Sequence, residues 1–126
     1  MLAVSDPAAA IDFYNRAFGA EVRWRIGEPT AVAGLSVEGG EFFLAQEGAA
    51  NPRSPDSVGH TTVRIELFVD DPEAVRTSAI AAGALAGSPI ELHTHSVIDS
   101  DTPMRMLQVG VTDPFGHVWL IGKFLA

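Results

Sequence analysis

The feature that most restricts the fold is a match of the chain to itself. Val4-Ser5-Asp6-Pro7 returns as Val69-Asp70-Asp71-Pro72, sixty-five positions on. Each copy leads into an Ala-rich stretch of helical periodicity, and each stretch closes on Gly-Ala, at Gly19-Ala20 and Gly83-Ala84. In both copies the Asp suits an N-cap, where its oxygen accepts from backbone N–H groups that lack a helical partner, and the Pro suits the first helical position. A repeat of fixed period outranks local propensity as evidence for architecture, because one unit alone buries too little apolar surface. A chain of 126 residues has room for two such units around one core.

The order of elements supports the duplication. Met1–Val4 reads as the end of a strand. Ala8–Phe18 reads as a helix, with Ala10, Phe13, Tyr14, Ala17 and Phe18 on one stripe. Glu21–Ile26 alternates, with Val22, Trp24 and Ile26 on one face. Ala31–Val37 and Glu41–Gln46 read as strands joined at the hairpin signal Gly39-Gly40. In the second copy Thr61–Val69 is the clearest strand, Glu73–Ala82 a helix and Ile90–His93 a strand, with a polar loop over Thr94–Pro103. Met106–Val111 and His117–Ile121 close the chain as a hairpin around Asp113-Pro114-Phe115-Gly116. Gly48–Gly59 holds Asn51-Pro52, Ser54-Pro55 and Asp56-Ser57 without periodicity and reads as a linker. The expected organisation is one domain over 1–126, with a module at 1–48 and a module at 60–126 joined by a linker at 49–59. Each module runs strand, helix, then three strands.

Composition removes several function classes. Acidic residues number 16 against 8 basic, and Lys123 is the single lysine, so the clustered cations that nucleic acid requires are missing. There is no cysteine, which excludes disulfides, thiolate metal sites and cysteine nucleophiles and fits a cytoplasmic protein. No apolar run approaches the ~18 residues of a membrane span, and no basic segment precedes an apolar one as in a secretory leader. Gly-x-Ser-x-Gly, Gly-x-Gly-x-x-Gly and Walker-type patterns are absent, leaving a hydrolase elbow, a dinucleotide site and a P-loop without support.

Four short motifs, in order, carry a family resemblance: Asp12-Phe13-Tyr14, Phe18-Gly19-Ala20, Ala82-Gly83-Ala84 and Asp113-Pro114-Phe115-Gly116-His117. Together they resemble the vicinal oxygen chelate superfamily of glyoxalase I, bleomycin-resistance proteins and extradiol dioxygenases, in its glyoxalase-like or PhnB-like subgroup. The resemblance implies an α+β fold of two βαβββ modules whose mixed sheets curl around a shared cavity. It also implies four chelating positions for a divalent metal. Carried onto this chain, the first falls before Met1 and the others at Phe43, Arg64 and Leu120. Phe and Leu offer no donor atom and Arg is a permanent cation, so no metal and no cofactor is expected. A longer native N-terminus would restore one ligand position and leave the other three unchanged.

Strand alternation extends the cavity. If Arg64 faces it, Glu66 and Phe68 do too, and by the same parity so do Val118 and Leu120, while Ile65, Leu67, Trp119 and Ile121 pack against helices. Met104, Met106 and Gln108 share a face and either line an adaptable pocket or belong to ordinary core. The cavity candidates are therefore Phe43, Arg64, Glu66, Phe68, Met106, Gln108 and Leu120. Arg64 and Glu66 either orient a ligand or pair with neighbours and fill space.

Glu91, His93 and His95, spaced by two, would share a strand face and have the donors for Zn²⁺ or Ni²⁺; as sequence-local ligands with no further partner they read first as a polar strand end. His117 reads as structural, bonding to its turn, ahead of a general base. His60 reads as solvated. The acidic pairs Asp70-Asp71 and Asp99/Asp101 are explained by capping and by loop polarity. The expected function is metal-independent binding of a small organic molecule, as in drug-sequestering bleomycin-resistance proteins. The alternative is a glyoxalase-like lyase or isomerase using Glu66 or His117 for acid–base work. The resemblance also implies a homodimer.

Overall fold

The computed structural model describes residues 1–126. The repeat sets its form. β1 (Leu2–Val4), α1 (Pro7–Phe18), β2 (Glu21–Ile26), β3 (Val32–Val37) and β4 (Gly40–Gln46) make the first copy. A one-turn helix α2 (Pro55–Val58) follows. The second copy is β5 (Arg64–Phe68), α3 (Pro72–Ala82), β6 (Leu85–Ala86), β7 (Glu91–His95), β8 (Met104–Thr112) and β9 (Val118–Leu125). The sheets are ordered β1-β4-β3-β2 and β5-β9-β8-β6, with β7 also on β8. In each, the strand before the helix pairs in parallel with the last strand of its copy. This is the α+β duplication expected from the sequence, with two open sheets of four and five strands.

β6 is the strand that sequence reading missed. It and β7 lie along one edge of β8, and the Gly87 N–H to Gly110 carbonyl bond (2.9 Å) and the Gly110 N–H to Ser88 carbonyl bond (3.0 Å) continue the ladder between them. The two are one strand interrupted near Pro89, where no N–H is available to the ladder. Counted so, the second copy also has three strands after its helix.

The helix ends follow the capping chemistry. Asp6 accepts from the Ala9 N–H and Asp71 from the Ala74 N–H, both at 3.1 Å. Gly19 and Gly83 close the two helices at positive φ. The α1 stripe is buried as its spacing requires: Ala10, Phe13, Tyr14, Ala17 and Phe18, with Pro7. α1 packs on α3, and one apolar cluster draws on both copies, joining Val4, Leu35 and Leu44 to Val109, Trp119 and Ile121. Each such side chain contributes roughly 1.5–3 kcal/mol on burial. No helix is long and apolar enough to cross a membrane.

Several boundaries differ from the sequence reading. The strand expected from Thr61 starts at Arg64, and that expected over Ile90–His93 runs Glu91–His95. The 49–59 segment, read as featureless, contains α2, capped by the fully buried Ser54. The face predicted for β2 is broken. The register shifts between Val22 and Trp24, so Val22 opposes the core-facing Leu35 while Trp24 and Ile26 oppose Gly34 and Val32. A bulge of this kind carries a side chain to the opposite face.

Candidate functional site

The closing hairpin is built on one carboxylate. Asp113 is buried. Its Oδ1 accepts the Phe115 N–H (2.9 Å) and the His117 N–H (3.0 Å), which forms the turn. Its Oδ2 accepts the Tyr14 hydroxyl from α1 and the Trp119 indole N–H (3.0 Å). Burial, and then the adjacent Asp113 charge, push the Tyr14 phenol well above its usual value. The His117 ring donates through Nε2 to the Ala3 carbonyl (2.8 Å), tying β9 to β1, so the group considered as a general base is engaged inside the structure.

This framework leaves one large opening. β1 pairs only with Leu44–Gln46, so Gly40–Phe43 of β4 have no strand on that side. A cavity of roughly 590 Å³ opens there, between β4 and β5. Its lining is mainly apolar, with Phe42, Phe43, Ile65, Leu67 and Trp119 among the walls, and its charged side chains are Glu41 and Glu66. Ile65, Leu67 and Trp119 point toward the helices as alternation requires. They reach the cavity because it opens at the junction of the sheets and not on one sheet's outer face.

The sequence candidates divide between two places. Phe43 and Glu66 line the large cavity. Arg64, Gln108 and Leu120 line a smaller recess of roughly 130 Å³ with Ser88, Glu91 and His93, at the interruption between β6 and β7. Gln108 Nε2 donates to Glu66 Oε1 (3.0 Å), joining the two. Arg64 makes no ion pair. Phe68 and Met106 line neither. Phe68 stacks on Phe124, with centroids 4.6 Å apart, and Met106 is buried on β8. Phe43 also meets Trp24 edge-on at 5.0 Å, and the Trp24 indole lies so close over Gly34 that a Cβ there would come within 2.5 Å of it.

A model of the Glyoxalase/Bleomycin resistance protein/Dioxygenase superfamily matches residues 1–121. The chain belongs to that superfamily. It is 33% identical over 129 residues to the uncharacterized protein Mb0911c of Mycobacterium bovis, covering 97% of this chain and 79% of that one. Among solved structures, TioX from Micromonospora sp. ML1 superposes with a TM-score of 0.69 at 29% identity, over 98% of this chain and 94% of TioX. A glyoxalase-related enzyme from Fulvimarina pelagi shares the fold, with a TM-score of 0.65 at 22% identity, over 97% of this chain and 83% of that one.

The superfamily's divalent chelate does not fit the residues present. At the positions assigned to it, Phe43 and Leu120 present carbon and Arg64 a guanidinium, and no group of three or more His, Cys, Asp or Glu side chains is arranged to hold a metal ion. Glu91 and His93 pair at 3.5 Å, and His95 stacks beside His93 without closing a three-donor set of this kind.

Proposed function

We propose that this superfamily member binds a small organic molecule in the cavity between β4 and β5 and does so without a divalent metal. The observation that carries this is the lining: a mainly apolar cavity of roughly 590 Å³ with two carboxylates, Glu41 and Glu66, as its charged side chains. Ligand sites are typically concave and apolar, with a few polar groups that fix orientation. Aromatic walls and carboxylates favour a ligand with an apolar body and a basic group. A ligand bearing a carboxylate or carbonyl would instead reach Arg64 in the neighbouring recess, through a paired contact of its guanidinium. A cytoplasmic location agrees with a chain free of cysteine.

The lyase or isomerase reading needs a proton-transfer group at the ligand. His117 is buried and bonded to Ala3, which leaves Glu66 as the acid–base candidate. The experiment is ligand titration against Arg64→Ala and Glu66→Ala. For a basic ligand, Glu66→Ala weakens binding about tenfold or more and Arg64→Ala is tolerated; for an acidic ligand the order reverses. Binding indifferent to both substitutions rules out the assigned pocket.

A further inference from the structure

The outer face of the second sheet carries side chains that the large cavity does not use. β7 and β8 are antiparallel, with His93 opposite Met106 and His95 opposite Met104. Opposed residues share a face, with Cβ atoms ~4.5–5.5 Å apart. Two imidazoles and two thioethers therefore occupy neighbouring rungs of one ladder. The chain has four histidines, three methionines and no cysteine, so half of its imidazoles meet both methionines other than Met1. None of the four lines the large cavity.

The rings of His93 and His95 are neighbours on this ladder and stack with centroids 6.1 Å apart, so both turn from that stacking to share one ion. Glu91, next on the same face, holds Oε2 3.5 Å from His93 Nε2. Met106 is buried, and its neighbour across β9 is Phe124, whose ring stacks on Phe68. This gives the thioether an apolar margin.

We propose that His93, His95, Met104 and Met106 form a site for a soft monovalent ion, Cu(I), for which Ag(I) is the redox-inert surrogate. The two thioethers favour Cu(I), and imidazole binds copper as well as zinc, whereas Mg²⁺ and Ca²⁺ require oxygen donors. The Glu91, His93 and His95 triplet lacks a further partner in sequence; the β7–β8 register supplies two from the facing strand. The net charge of −8 favours a cation over an anion.

The test is titration of silver nitrate into the full chain in chloride-free buffer, read by calorimetry and by the methionine methyl signals in a proton–carbon correlation spectrum. One equivalent binds, the Met104 and Met106 methyls shift and the Met1 methyl does not. Met104→Leu with Met106→Leu conserves volume and weakens Ag(I) binding by at least about tenfold. His93→Gln with His95→Gln does the same in a variant that leaves the buried Met106 in place. Under anaerobic conditions Cu(I), buffered by bathocuproine disulfonate, competes for the same equivalent. Silver binding unchanged by both double substitutions, shifts centred on Met1, or Zn²⁺ displacing silver at comparable affinity overturns the proposal.

Discussion

Asp113 is where the smallest change has the largest consequence. Its oxygens accept four hydrogen bonds inside the core. Asp113→Asn keeps the shape but replaces one acceptor by a donor, so a buried N–H or O–H loses its partner. The expected cost is about 3 kcal/mol by urea denaturation. Tyr14 makes the same network visible optically, since it is the chain's one tyrosine. Burial and then Asp113 raise its folded pKa above the unfolded value of 10.0. The stability linked to it is therefore complete below pH 10 and is lost as pH climbs toward the folded pKa, because the unfolded chain ionises first. The phenolate absorbance should appear together with alkaline unfolding and not before it; a phenolate band rising while the far-ultraviolet dichroism is intact contradicts this. Sequence reading found the turn role of Asp113 and a structural role for His117. It missed the bonds to Tyr14, 99 residues away, and from the His117 ring to Ala3, 114 residues away, because sequence pattern reports local partners.

Elements with a local cause were legible: the two capped helices, the apolar stripe of α1 and the β3–β4 hairpin, whose turn falls at Glu38-Gly39, one residue before the expected Gly39-Gly40, with both residues at positive φ. Elements set by neighbours were not. The bulge in β2 depends on its pairing with β3, and β6 exists only because β8 runs long enough to pair with it. The 49–59 segment looked unstructured because its anchors lie outside it. Hydrogen bonds from Ser54 and Ser57 hold the Glu47 carboxyl down at about 2. That contribution is present above the ordinary pKa of 4.5 and is lost as pH falls toward about 2. Glu47→Gln should speed proteolysis within 49–59 at neutral pH, and an unchanged cleavage rate counts against the anchor. On the other side, Gly116 has φ +89, and a Cβ there would lie 2.6 Å from the Asp56 nitrogen. Gly116→Ala should cost about 2 kcal/mol or more in thermal or chemical unfolding; a neutral substitution would show that α2 does not press on the closing turn.

At the scale of the molecule, the repeat made the architecture readable. The cavity was read less well. The family resemblance and strand parity placed Phe43, Arg64, Glu66 and Leu120 on one cavity face, whereas Phe43 and Glu66 line the large opening and Arg64 and Leu120 the separate recess, because a gap between two sheets is set by how they pack, which no periodicity encodes. The same openness bears on assembly. All six residues of the edge strand β2 are exposed, Trp24 and Ile26 among them. An unpaired edge and bare apolar faces favour pairing with a second copy. Sedimentation at micromolar concentration should give a homodimer, and a monomer alone would contradict it. The central claim is organic-ligand binding without a divalent ion, and thermal unfolding in excess chelator tests it most directly. Against a panel of aromatic amines, the account predicts that some raise the melting temperature with EDTA present, and that Glu66→Ala abolishes the gain. Stabilisation that appears only with added divalent metal and vanishes on chelation would contradict it.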